Sequence, residues 1–262
     1  MLKLSIAGES DGSWPVPVSA SLVQEWRDRD GQVRAFGYAN GRRGWLEWPG
    51  LATFAFEEGS EDVVATPSAG ATARAVEEMF RRGAVPIILQ ARGWEALHAR
   101  AVLAPRGVVG LCGAADSAAF ALTYALDRLG YRQCADSALL LNLRGVVRVE
   151  SYPFSRRPSS SALEETPAER LCALFVVVLA PANLPRLKRL AGAEAFSALV
   201  AHAYCFNPVD PEAKRRLVAN YVSLVSQVPI YQLELEGGPQ QVAAAQLILD
   251  TVSTTVLLTA AR

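Results

Sequence analysis

Apolar and polar residues alternate in short stretches along the first quarter of the chain. Residues 2–6 place Leu2, Leu4 and Ile6 on one side and Lys3 and Ser5 on the other. Residues 33–38, 44–48, 52–56 and 62–66 are further short strand-like runs, punctuated by Gly, Pro and Asn. A period of two marks a strand with one buried face. Asn40-Gly41 is a hairpin signal, because both residue types tolerate the positive φ of a tight turn. Residues 1–70 are therefore expected to form a β-rich N-terminal region. Trp14, Trp26, Trp45 and Trp48 all fall there, where they suit the faces of a small sheet.

The period then changes. Ala75, Val76, Met79 and Phe80 recur at helical spacing, which predicts a helix over 72–82 that Gly83 should stop. Residues 97–103 read as a strand, Pro105-Arg106-Gly107 as a turn, and 108–112 as a second strand. A loop of small residues at 113–117 leads into a helix over 118–129, closed by Gly130. Strands are expected within 132–143, at 173–179 and at 230–235, and helices at 193–204, 211–227 and 239–249. Asp210-Pro211 with Glu212 is a helix start: a side-chain acceptor, a preset φ and a negative charge near the positive helix end. This alternation predicts an α/β domain over 71–262 with a mixed sheet. Residues 156–167, rich in Arg, Pro, Ser and Glu, read as a loop.

Composition narrows the function classes. The 262 residues are 51% apolar and 20% charged, enough for a sizeable core. Lys plus Arg and Asp plus Glu are equal at 26 each, so no global field draws in nucleic acid or anionic lipid. Neither is expected as a partner. The arginines at 144, 148, 156 and 157 read as a solvated face. Cys112, Cys134, Cys172 and Cys205 are widely spaced, and His98 and His202 are the only histidines. Such spacing predicts buried reduced thiols rather than a zinc site. The opening residues lack the basic and apolar regions of a signal peptide. The longest apolar run, 173–181, falls well short of the ~20 residues that span a bilayer. A cytoplasmic protein is expected.

One segment carries candidate chemistry. A strand, a loop of small residues and a helix make an anion site, because loop amides and the helix N-terminus converge on a phosphate. Gly113, Ala114, Ala115, Asp116, Ser117 and Ala118 are the candidate cradle. The phosphate-loop pattern G-x-x-x-x-G-K-[ST] keeps its first glycine at Gly113. Ala118 stands at its second glycine, Ala119 at its lysine and Phe120 at its hydroxyl.

The flanking residues are Arg92-Gly93-Trp94-Glu95-Ala96-Leu97-His98-Ala99-Arg100-Ala101-Val102, then Gly130-Tyr131-Arg132-Gln133-Cys134-Ala135-Asp136-Ser137. With Tyr152-Pro153 and Val228-Pro229-Ile230-Tyr231-Gln232-Leu233, this series resembles the HPr kinase/phosphorylase-like family, whose fold is related to that of phosphoenolpyruvate carboxykinases. Members show R-G-x-x-x-L-H-A-x-A-V, a hairpin, a phosphate loop, a helix, and R-G-H-x-x-x-x-D-D. The resemblance implies an α/β fold with a mixed sheet around a degenerate P-loop. It implies that His98 and Asp136 match the family's histidine and its first aspartate, the catalytic base or metal partner. Ser137 stands at the second aspartate. The family's lysine contacts the β- and γ-phosphates and its Ser/Thr binds Mg²⁺; Ala119 and Phe120 can do neither.

A single preorganised donor to developing charge is worth ~3 kcal/mol, roughly 10²–10³ in rate. Losing two such groups, with Asp116 opposing a polyphosphate from inside the loop, argues against an ordinary kinase. Three readings follow. The first is a pseudokinase without cofactor that binds a protein or peptide. Relatives encoded near ribosomally made peptide clusters make a peptide partner in natural-product biosynthesis the guess by resemblance. The second is an unconventional ATP- and Mg²⁺-dependent Ser/Thr kinase, with Asp136 as base, His98 on phosphate, and Arg100 or Arg132 replacing the lysine. The third is an enzyme of another class anchored on Asp116, Ser117 and Asp136. The resemblance also implies that a homo-oligomer is open to the chain.

Overall fold

The computed structural model describes residues 2–7, 14–28, 30–113, 116–150, 169–181, 183–236 and 240–259. The side chains of residues 116–117 and 255–259 are outside that description, as is the loop expected at 156–167. The chain is α/β and divides into two compact units, residues 1–94 with 204–217 and residues 95–203 with 218–262.

In the first unit the expected β-rich pattern forms a six-stranded sheet. β1 (Lys3–Ile6) lies beside β6 (Asp62–Pro67), followed by β5 (Ala52–Glu57), β4 (Arg43–Trp48), β3 (Val33–Asn40) and β2 (Ser21–Arg27). All neighbours are antiparallel except β1 and β6. Asn40 pairs with Arg43, and Gly41 takes the positive φ (58°) that the two-residue turn needs. The strand β2 was not legible in the hydrophobic pattern.

One face of this sheet buries Leu46, Phe54 and Phe56. Phe54 stacks on Phe80 with centroids 5.9 Å apart and meets Trp48 edge-on at 5.6 Å. α1 (Ala73–Met79) starts at Thr72, whose hydroxyl accepts the Ala75 N–H at 3.2 Å. Gly83 does not stop the helix. The chain passes through a π-helical turn at Phe80–Ala84 into α2 (Val85–Ala91). A Cβ at Gly83 would lie 2.7 Å from Met79 Sδ and 3.0 Å from the Trp48 ring, so this glycine serves close packing. Buried Gln90 holds the later segment of the unit: its Oε1 accepts the Phe206 N–H at 2.9 Å, and the Phe206 ring meets Phe56 at 5.4 Å.

The second unit is built on a mixed sheet. Its path runs β10 (Arg132–Ala135), β8 (Ala99–Ala104), β9 (Gly107–Gly113), β13 (Glu169–Leu179), β12 (Arg148–Glu150), β11 (Leu139–Asn142), β7 (Glu95–Leu97). β15 (Ile230–Leu235) also pairs with β13, and β14 (Arg186–Leu190) with β15. The strand expected at 97–103 is broken at His98, where the chain leaves its pairing with β11 and joins β9. α3 (Asp116–Arg128) and α6 (Gln241–Thr259) supply Ala118, Ala119, Leu122, Leu126, Ala244, Ala245 and Ile248 to a core against Leu111, Phe175, Val177, Tyr231 and Leu233. Phe175 and Tyr231 stack at 5.1 Å. α4 (Gly192–Val200) ends before His202, which the pattern had placed on a helix; α5 is Pro211–Gln227 as expected.

Candidate functional site

Strand direction fixes where the sequence-predicted residues meet. β9, β13 and β15 are mutually parallel, with Gly113 beside Val177 and Leu179 beside Leu235. β8 runs against them, so its first residues stand beside the last of β9: Ala99 pairs with Cys112 and Arg100 with Leu111. β10 runs against β8 and ends with Ala135 opposite Ala101. His98, Arg100, Gly113, the start of α3 and Asp136 therefore gather at one end of the sheet, outside the carboxyl ends of its parallel strands. That is where ligands sit in open α/β sheets.

Within the predicted cradle, Gly113 is the buried last residue of β9. Ala114 and Ala115 lie outside the described residues. Asp116 and Ser117 open α3. Ala118 is 6% exposed and Ala119 4%. The phase of the helix explains this: residues 118, 119, 122, 125 and 126 face the sheet, while Phe120 and Tyr124 face outward at 42% and 57% exposure. Thr123 also turns inward, and its hydroxyl donates to the Ala119 carbonyl at 2.7 Å. Position 119, where the phosphate-loop pattern has its lysine, is a core position. Position 120, where that pattern has its hydroxyl, carries an outward aromatic ring, with the Arg100 guanidinium carbon 5.0 Å from the ring centroid.

Asp136 and Ser137 follow β10, both half-buried, and the Ser137 hydroxyl donates to Asp136 Oδ1 at 3.2 Å. The serine thus gives Asp136 a neutral donor where a second carboxylate would repel it. His98 is tied by its backbone: its N–H donates to the His202 carbonyl at 2.7 Å, next to a bridge between Leu97 and Ala203. Burial, and then the neighbouring His98 imidazole, hold the His202 imidazole below its ordinary value. The two histidines are neighbours although about a hundred residues separate them. No spacing rule would have found that pair.

The thiols near this end are inert. Burial pushes Cys112, beside Gly113, and Cys134, two residues before Asp136, up to about 12, so neither offers a thiolate at neutral pH. Burial also raises Cys172. Among the described residues no three His, Cys, Asp or Glu side chains form a metal-holding group, and no helix is long and apolar enough to cross a membrane.

No family model and no curated protein matches the chain. Among solved structures it is similar to one described as the Hpr(Ser) kinase/phosphatase from Coxiella burnetii. That match has 9% identity and a TM-score of 0.38, and it covers 61% of this chain and 97% of the other.

Proposed function

We propose that the chain is a catalytically impaired HPr kinase-like protein, a pseudokinase that serves as a protein- or peptide-binding subunit, in keeping with peptide natural-product biosynthesis. One observation carries the reading: Ala119 is sealed in the core while Phe120 faces outward under Arg100. A strand–loop–helix element so equipped has no cation for the β- and γ-phosphates and no hydroxyl for Mg²⁺ at the positions where that chemistry needs them. What it offers instead is an arginine and two outward aromatics, Phe120 and Tyr124, the residue types that dominate protein interfaces. Calorimetric titration of the purified protein with Mg·ATP is the test. No heat of binding is expected, and a dissociation constant in the low micromolar range overturns the reading.

A second reading is favoured by Arg100, which stands on the strand next to the loop, and by Asp136 at the same sheet end. An unconventional kinase acting on a Ser or Thr hydroxyl would use Asp136 as base, His98 on phosphate and Arg100 in place of the lysine, with ATP and Mg²⁺. Phosphate transfer that is abolished by Asp136→Asn would favour it. Transfer that persists in that variant would remove Asp136 as the base.

A further inference from the structure

β14 (Arg186–Leu190) borders the second unit's sheet, and among the described residues it pairs only with β15. Which of its backbone groups remain follows from the neighbouring ladder. The carbonyls of Pro229 and Leu235 accept from the Leu174 and Ala180 N–H groups on the β13 side. Backbone groups alternate sides residue by residue along a strand. Tyr231 and Leu233 therefore also face β13, whereas Ile230, Gln232 and Glu234 face β14. Their register partners, Leu190, Lys188 and Arg186, turn their N–H and C=O groups toward β15. The N–H and C=O groups of Leu187 and Arg189 point the other way, off the sheet.

The side chains set the charge of that edge. Arg186, Lys188 and Arg189 are all exposed. Lys188 pairs with Glu194. Arg186 stands opposite Glu234, whose Oε1 already accepts from Gln232 at 2.7 Å. Arg189 stands opposite Tyr231 and has no acidic partner among the described residues. Three cations against two carboxylates leave the edge positive. Such an edge resists pairing with a second copy of itself, because like charges would meet. It favours a strand that carries carboxylates.

We propose that β14 is a docking edge for an acidic, extended peptide segment of a partner protein, added as one further strand on the backbone of Leu187 and Arg189. Main-chain bonds supply affinity in this mode and side chains supply selectivity. Carboxylates of the guest stand beside Lys188 and Arg186 on one face and beside Arg189 on the other. Arg186 lies at the end of the sheet where β9 passes into α3, since its partner Glu234 precedes Leu235. A guest antiparallel to β14 thus carries its C-terminal end toward the candidate site. The proposal deepens the peptide-binding reading by naming a second surface and the charge of its occupant.

The test uses the full chain and a short blocked peptide of repeated Glu-Glu-Thr-Thr, which puts carboxylates on both faces of an extended strand, with the peptide that carries lysine in place of glutamate as counterpart. Amide shifts are followed by NMR. Saturable shifts that include the Leu187 and Arg189 amides are expected with the glutamate peptide alone. The Arg186→Glu/Arg189→Glu variant should weaken binding roughly tenfold or more, as reversing paired charges does. No saturable binding, equal binding of the lysine peptide, shifts that spare β14, or unchanged affinity in the variant would each overturn the proposal. The nucleotide titration reads a different surface, so failure of either experiment leaves the other interpretable.

Discussion

Placing the phosphate-loop pattern's lysine and hydroxyl together, Ala119→Lys with Phe120→Ser, tests whether position 119 belongs to the core or to a ligand site. Ala119 is 4% exposed among Leu111, Leu122, Leu126 and Phe175. Lysine adds four heavy atoms there, and overpacking of that kind costs about 1–3 kcal/mol. Its ammonium must also lose its charge or force an opening, which brings the total to about 3–5 kcal/mol. At about 2–4 °C per kcal/mol for a unit of this size, the melting temperature should fall by roughly 10 °C. Phe120→Ser alone removes a half-exposed ring and its contact with Arg100, about 0.5–1 kcal/mol. Ala119→Leu separates volume from charge and should fall between the two. The assay is thermal denaturation of all three variants, followed by calorimetry with Mg·ATP. A double variant that melts with Phe120→Ser and gains micromolar ATP binding would show that residue 119 points at a phosphate site, and the reasoning would fail.

Two further outcomes are expected. A Cβ at Gly107 would lie 2.3 Å from the Arg170 carbonyl oxygen and 2.9 Å from Cys172 Sγ, at a φ of 127°; Gly107→Ala should cost about 2–4 kcal/mol in chemical denaturation, and an unchanged midpoint would refute the close approach of β9 and β13. The His202 imidazole is held below its ordinary value of 6.5, so on acidification the unfolded chain takes up the proton first; its share of stability is whole above about 6.5 and is lost as pH falls through the lowered folded value. His202→Gln should flatten the denaturation midpoint across that window, and an equally steep acid dependence in the variant would count against burial as the cause.

Local signals carried much of the architecture. Strands β3 to β6 have period-two patterns bounded by turn residues, and α3 and α5 have helical spacing with a stop or a cap. The misses have physical causes. β2 and β14 sit at sheet edges, where polar side chains face water on both sides and the alternation fades. α2 opens Val-Pro-Ile-Ile-Leu, an apolar run that period alone cannot assign, and Gly83 looked like a helix stop because its packing against Trp48 is a tertiary fact. At the candidate site the motif spacing located Gly113, His98 and Asp136 in the chain, and the strand directions bring them to one sheet end. The inward turn of Ala119, the Arg100–Phe120 contact and the meeting of His98 with His202 all depend on pairing between distant segments.

Ala119 and Phe120 are one feature rather than two. Successive helical residues stand about 100° apart, so a helix that turns 119 into the sheet with 122 and 126 must turn 120 outward with 124. A lysine at 119 would follow the same phase unless α3 began differently, and a hydroxyl at 120 would then face the side that Phe120 and Tyr124 now occupy. Arg100, a candidate replacement cation on the adjoining strand, is engaged with the Phe120 ring. To bind a phosphate it must leave that ring, which gives up the cation–π contact and exposes more of an already half-exposed aromatic. The phase of α3, the outward ring and the placement of Arg100 support one another as a packed surface. That mutual support is what the proposal of an impaired kinase rests on, and micromolar binding of Mg·ATP to the unaltered chain would break it.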